Sequence, residues 1–396
     1  MLATLDHLKL INHQAWIEAD EIPLQSFTCV GQVTNQIITR RPETQEVIPA
    51  ISLAARGHGS PMRLLKTNLT SACERNCAYC SFRAGRDFRR ATLNPDEMAN
   101  LYHRMAIAGL VDGLFLSSGI AGGGIHTQDL LIDTIEILRF KYQYSGYIHL
   151  KIMPGAEKDQ VSRVLQLANR VSVNLEAPDP VHLSHIAPLK KFDEELLLPL
   201  QTAQSFRDGK KQQGQPNHRN PSLVTQFVVG GTDETDRDLL NFSEYLFRSL
   251  KLSRIYYSAF SPISDTPLFS RPPENPLREI RLYQASFLLR DYAFSKDELA
   301  FNKEGFLPLE IDPKLAYAKA NYQDKPLEVN KASKEQLLRI PGLGKKSVDL
   351  ILRTRVKNPF KQLGDLRRLG IHSSRSAPFI LLNGKRPEIQ PELWED

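Results

Sequence analysis

A chain of 396 residues with 41% hydrophobic and 24% charged side chains has an ordinary globular composition and enough length for two or three domains. The net charge is +6, and four cysteines cannot staple a chain this long as a disulfide framework. No uninterrupted apolar run approaches the ~20 residues a bilayer-crossing helix needs. The start, Met1-Leu-Ala-Thr-Leu-Asp-His7, lacks the basic and apolar regions of a secretory signal, so a cytoplasmic protein with no membrane partner is expected.

Residues 1–60 offer no usable motif and are set apart as an N-terminal extension. The β-rich run Met62–Leu69 predicts a first strand, and directly after it comes Cys73-Glu-Arg-Asn-Cys77-Ala-Tyr-Cys80. Three thiolates that close together can hold three corners of a cubane iron–sulfur cluster, leaving the fourth iron open to a substrate or cofactor. A zinc site wants four ligands, usually two separated pairs, and no second pair follows; Cys29 or a distant histidine could complete one. An electron-carrier ferredoxin would need a fourth regularly spaced cysteine and a far smaller chain. Cys29 reads as a small buried thiol.

With the aromatic Tyr79 before its last cysteine, this motif resembles the signature of the radical S-adenosylmethionine (SAM) superfamily. The resemblance implies a 4Fe–4S cluster on Cys73, Cys77 and Cys80 whose open iron chelates the amine and carboxylate of SAM. It further implies reductive cleavage of SAM to methionine and a 5′-deoxyadenosyl radical that abstracts hydrogen from a substrate. Tyr79 would then belong to the cofactor site. A low-potential donor such as ferredoxin or flavodoxin would supply the electron.

Phe82–Arg90 carries Arg83, Arg86, Arg89 and Arg90 beside Phe82 and Phe88, and reads as a loop fixed by bidentate ion pairs more than as a phosphate clamp. Asn94-Pro-Asp-Glu97 is a capping box opening a helix to about Gly109. Strands are predicted at 113–118, 147–153, 171–177, 223–229 and 254–260, with helices at about 127–144 and 156–168. The polar, breaker-rich stretch Ser205–Pro221 predicts an exposed loop. Six βα units are too few for a closed eight-stranded barrel, but they suit the α/β fold the resemblance implies: a partial (β/α)6 TIM-like barrel over residues 61–300, with its chemistry at the C-terminal ends of the strands.

Two strands alternate where a fully buried parallel strand would be apolar throughout. Tyr147, His149 and Lys151 oppose Ile148, Leu150 and Ile152; Ser172, Asn174 and Glu176 oppose Val171, Val173 and Leu175. Polar faces on successive strands suit a wet, functional lumen, or pair with one another. The resemblance also implies cofactor contacts. Ser117, Ser118 and Gly119 stand where the superfamily has a Gly-Gly-Glu-like segment, here without its glutamate. Asn174 and Glu176 fit a ribose-contacting position, and Gln226 begins the segment that packs beside adenine.

Residues 301–326 are expected to link the barrel to a small all-α domain at 327–386, followed by a tail at 387–396. Ser333 and Gln336 form a second capping box; its helix ends before Pro341, and Gly342-Leu-Gly344 leads into another helix. This resembles the helix-hairpin-helix fold of nucleic-acid-binding proteins, with Pro341, Gly342, Gly344, Lys345 and Lys346 as phosphate contacts through backbone N–H groups and charge. A weaker second copy is expected at Leu366–Ile371. Between Lys331 and Arg386 stand fourteen Lys or Arg against Glu335, Asp349 and Asp365, a local charge of +11; a total of +6 leaves −5 elsewhere. Such a basic end suits a polyanion, and equally a solvated face or a purely structural hairpin.

Barrel and hairpin together resemble radical SAM proteins of DNA modification or repair, a group associated with uracil-DNA-glycosylase-like partners. The resemblance runs through Asp87–Leu93, Leu114–Gly119, Tyr147–Lys151, Tyr256–Pro262 and Arg281–Gln284 as well as the hairpin. It implies DNA as substrate. The alternatives are an RNA-modifying radical SAM enzyme and a non-catalytic nucleic-acid-binding iron–sulfur protein.

Overall fold

The computed structural model describes residues 6–11, 51–54, 60–212 and 220–388. Cys29, and most of the segments expected as extension and tail, lie outside them. The chain divides into two compact units, residues 1–234 with 250–274 and residues 235–249 with 275–396.

In the first unit, six strands run parallel in chain order: β2 (Met62–Asn68), β3 (Gly113–Ser117), β4 (Tyr147–Lys151), β5 (Arg170–Ser172), β6 (Ser222–Val229) and β7 (Arg254–Ala259). An edge strand the sequence did not announce, β1 (Ile51–Ala54), pairs antiparallel with β2. Its four residues are too short for a readable alternation. Crossovers between parallel strands need intervening elements. Here they include α1 (Pro95–Ile107), α2 (Gly124–Glu136), α3 (Lys158–Leu167), α4 (Pro180–Ile186) and α5 (Leu198–Gln212).

The capping box at the start of α1 forms as expected, Asn94 and Glu97 exchanging 2.9 Å hydrogen bonds. Leu65, Leu114, Leu116, Ile148, Leu150 and Val171 are fully buried on one face of the sheet, as burial beneath helices requires. The sheet is curled as a half-barrel, and its other face carries the polar side chains.

Two expectations are corrected. The stretch 205–221 does not begin as loop: α5 continues to Gln212, because Leu200, Ala203 and Gln204 bury one helical face and carry the polar residues after them. The predicted strand 171–177 keeps its ladder only to Ser172. Beyond it the Leu175 amide turns to the Thr225 hydroxyl at 3.2 Å, and pairing resumes only at a Glu176–Phe227 bridge.

The second unit holds α6 (Asp236–Arg248), α7 (Pro276–Asp291), α8 (Pro313–Tyr322), α9 (Lys334–Leu338), α10 (Lys345–Arg355), α11 (Leu363–Arg368) and the parallel pair β8 (Leu327–Glu328) and β9 (Ile380–Leu381). Asp236 and Arg278 form a buried 2.7 Å ion pair between α6 and α7. Val329, Leu337, Ile340, Val348, Ile351 and Leu366 belong to one apolar core. The segment expected as a bare linker contains α8, capped by Asp312 and opened by Pro313, and Ala318 joins that core. The Asp312-Pro313 start signal is visible in the sequence.

Lys314 on α8 donates a 2.6 Å hydrogen bond to the Leu343 carbonyl, with its ammonium 4.6 Å from the centre of the Tyr292 ring. Burial pushes this lysine down to about 7, against the opposing pull of Asp312. A folded value below the unfolded one means that the unfolded chain binds more protons between the two. The ammonium's cost to the fold is therefore constant below about pH 7 and relieved as pH rises toward 10.5. The melting-temperature advantage of Lys314→Met over wild type should shrink between pH 7 and 9.5; a pH-independent difference would refute this assignment.

Candidate functional site

The cysteine loop leaves the C-terminal end of β2 and is fastened on two sides. The amides of Leu69 and Glu74 donate to the carbonyls of Ser117 and Ile120, both at 2.8 Å, and the Ala78 amide donates to Ile186 at 2.7 Å. Arg75 reaches across to Glu195 at 2.8 Å and to the Leu189 carbonyl. The three cysteines are free thiols, Cys77 buried and Cys73 and Cys80 partly exposed. Backbone N–H groups point at their sulfurs: Ile120 and Arg75 toward Cys73 at 3.4 and 3.5 Å, and Phe82 toward Cys80 at 3.4 Å.

Behind the loop lies a buried polar triad that no spacing in the sequence announces. The Lys190 ammonium donates to the Tyr79 hydroxyl at 2.9 Å and to the Glu176 carboxylate at 3.1 Å. Side-chain exposures of 10% and 4% make the Lys190–Glu176 bond a buried ion pair. Burial raises the Cys77 thiol while nearby Lys190 pulls it back. Burial by itself would lower Lys190, but Cys77 and Glu176 together raise it above the usual lysine range. Burial likewise holds the Tyr79 phenol far above its ordinary value. Glu176 adopts φ of 66°, a left-handed backbone uncommon for a non-glycine residue. Hydrogen bonds from its amide to Gln226 and to its carbonyl from Val228, at 2.9 and 2.8 Å, hold it there.

The remaining candidates also stand at strand ends. Asn174 donates to Gln226 at 3.3 Å, so these two side chains meet each other. Ser117 closes β3 and is buried, and the Ser118 hydroxyl oxygen is buried with no hydrogen-bond partner among the described residues. The Gly119 amide donates to Thr70 at 2.8 Å, and a Cβ there would sit 2.2 Å from the Ala72 carbonyl oxygen. Its glycine thus lets this loop press against the cysteine loop's own backbone. A depression of about 590 Å³ opens here, lined by Cys73, Glu74, Arg86, Arg90, Ile120 and Gly122, within the size range of small-molecule sites.

Residues 67–246 match the family model described as Radical SAM superfamily. The protein carries a radical SAM domain. No curated protein matches the chain. Similar solved structures include methylornithine synthase (PylB), 13% identical with a TM-score of 0.45 over 57% of this chain and 61% of that one. The FeFe-hydrogenase maturase HydG from Carboxydothermus hydrogenoformans is 15% identical, TM-score 0.44, over 57% and 51%. A radical SAM methyltransferase from Sphaerobacter thermophilus is 13% identical, TM-score 0.43, over 58% and 64%. The matched region is under two thirds of each of these chains.

A radical SAM domain is of a kind that uses a 4Fe–4S cluster and SAM as cofactors. The residues fit both. Among the described residues no three His, Cys, Asp or Glu side chains gather as a single ion requires. A cubane asks for something else, one thiolate on each of three irons. Free Cys73, Cys77 and Cys80, two of them receiving N–H bonds at sulfur, supply that. The Ser118 oxygen, buried and without a hydrogen-bond partner among the described residues, leaves room for a polar contact from a bound group such as SAM.

Two of the four arginines after the motif, Arg86 and Arg90, bind backbone carbonyls where carboxylates were expected. Arg90 donates to the carbonyls of Ser71, Phe82 and Arg83 at 2.7–3.0 Å, and Arg86 to Ser264 at 3.1 Å and to Ser81. Phe88 lies under both guanidinium groups.

In the second unit, α9 and α10 are joined by the turn holding Pro341, Gly342 and Gly344. Gly342 has φ of 81°, and Gly344 is the N-cap of α10 with no side-chain cap. Lys345 turns to Asp291 at 3.2 Å, while Lys346 is exposed and enters no ion pair among the described residues. The local +11 overstates the free charge. Arg339 forks onto Glu298 with two 2.8 Å bonds, Arg355 binds the Val329 and Ala332 carbonyls, and Lys334 pairs with Asp349. Lys331, Lys357, Lys361, Arg367 and Lys385 remain exposed alongside Lys346. No helix among the described residues is long and apolar enough to cross a membrane.

Proposed function

We propose that this chain is a radical SAM enzyme acting on DNA, in modification or repair, with its C-terminal helices gripping the substrate's phosphates as a helix-hairpin-helix domain. The observation that carries the enzymatic part is the cysteine loop at the C-terminal end of the first barrel strand, its sulfurs met by backbone N–H groups. When bound, the reduced cluster supplies the electron that cleaves SAM into methionine and a 5′-deoxyadenosyl radical.

The chain's own residues hold and shield that chemistry. Cys73, Cys77 and Cys80 bind the irons. Lys190, anchored on Glu176, sets a fixed positive charge behind thiolates that burial would otherwise disfavour. Ser118, Asn174 and Gln226 offer polar contacts to SAM at the strand ends, and Tyr79 closes the buried side of the loop. A base in duplex DNA must be flipped out or already unpaired to reach such a site. The setting proposed is the cytoplasm, with a ferredoxin or flavodoxin as electron donor and a uracil-DNA-glycosylase-like protein as partner.

The enzymatic reading is tested by anaerobic reconstitution with iron, sulfide, SAM and dithionite. Release of 5′-deoxyadenosine supports it; none with any oligonucleotide makes the chain a binding protein. The DNA reading rests on the turn at Pro341–Gly344 and the exposed bases around it. Contacts to phosphate are sequence-independent and salt-sensitive. Lys346→Ala should weaken binding across all DNA sequences and flatten the log–log salt slope by about one unit. Tighter binding to a matched RNA strand would instead favour RNA as the substrate.

A further inference from the structure

The inner face of the half-barrel carries chemistry that the cofactors do not use. Residues paired across neighbouring parallel strands point to the same side of the sheet, so the register assigns them to rows. One row runs Lys66, Phe115, His149, Arg170, Ser222 across β2 to β6. The row above it, toward the strand ends that bear the cysteine loop, includes Asn68, Ser117, Lys151 and Ser172. The rows are two residues apart, about 7 Å along a strand.

Lys66, Lys151 and Arg170 thus converge around His149. The rings of Phe115 and His149 lie 4.5 Å apart, with the Lys66 ammonium 6.0 Å from the Phe115 centroid. Arg170 donates to the hydroxyls of Ser222 at 3.0 Å and Tyr256 at 3.1 Å. His149 shares a 3.0 Å hydrogen bond with Ser172. Burial first, then the charges of Arg170, Lys66 and Lys151, push this imidazole far below its usual value, so it stands neutral among cations.

Lys151 decides the matter. It ends β4, the fourth of seven strands, on the inner face and only half exposed, and it enters no hydrogen bond or ion pair among the described residues. The acid that follows β5, Glu176, is committed to Lys190. A half-buried ammonium at the middle of a sheet is costly without a counter-charge.

We infer that the lumen binds an oxyanion of the substrate, phosphate or carboxylate, through Lys151, Lys66 and Arg170, with neutral His149 as a hydrogen-bonding neighbour. This rests on the enzymatic reading above and narrows it to substrates that carry such a group into the barrel.

Calorimetry on the full chain tests this with thymidine 5′-monophosphate, thymidine and succinate. The monophosphate should bind at least tenfold tighter than thymidine if the oxyanion is a nucleotide phosphate; succinate should bind instead if it is a carboxylate. Either preference should collapse in Lys151→Met, survive in Lys151→Arg, and be untouched in Lys303→Met, a change at an exposed lysine of the second unit. Equal weakness toward all three probes, or a preference that persists in a folded Lys151→Met, overturns the inference. Deoxyadenosine release without added substrate is read separately, so loss of the oxyanion site and failure of the enzymatic reading give different results.

Discussion

Single replacement of Cys73, Cys77 or Cys80 by Ala is expected to abolish the 4Fe–4S cluster, dropping reconstituted iron from about four per chain to near background. Removing one thiolate leaves two protein ligands for a cluster that already has one iron uncommitted. Deoxyadenosine release should vanish with the cluster's visible absorption in all three variants. The structure adds an ordering for partial losses. Cys77 is buried beside Lys190, whereas Cys73 and Cys80 are partly exposed. Serine, whose oxygen is a poorer iron ligand, should therefore be least tolerated at 77, where water cannot make good the missing bond. Cys29→Ala should keep full iron. Retained iron in any of the three motif variants, or its loss in Cys29→Ala, would show that the ligand set is misassigned.

The barrel was legible because parallel strands advertise themselves locally. Each of the six predicted strands has its counterpart, since a β-branched run between a capping box and a turn leaves few alternatives. The cysteine motif was legible for the same reason: all its information lies within eight residues. What could not be read is whatever depends on distant partners. Lys190 sits in an unremarkable Leu-Lys-Lys segment, and only folding brings it to Tyr79 and Glu176, 111 and 14 residues away. The break in the ladder after Ser172, where the Leu175 amide turns to a threonine hydroxyl on the neighbouring strand, is recorded by no pattern within 171–177. Charge was misjudged in a similar way. Counting basic residues between 331 and 386 treats Arg339, Arg355 and Lys345 as free, although each is spent inside its own unit.

Replacing Lys190 with Met should cost about 3–5 kcal/mol of stability in the first unit, the usual penalty for removing one partner of a buried ion pair. The reason is the Glu176 carboxylate, 4% exposed, which would be left without its cation in a segment already held at an unfavourable φ. A merely space-filling lysine would predict little change, because methionine matches its stem. The two explanations separate in a double-mutant cycle. If the pair is what matters, Lys190→Met combined with Glu176→Gln should be far less damaging than the sum of the single changes, since the uncompensated charge is gone. Iron content supplies a second axis. The double variant should refold yet hold its cluster more weakly than wild type, because the ammonium that offsets burial of the Cys77 thiolate is absent. Additive stability losses would reduce the triad to packing, and full iron retention in the refolded double variant would remove Lys190 from any part in holding the cluster.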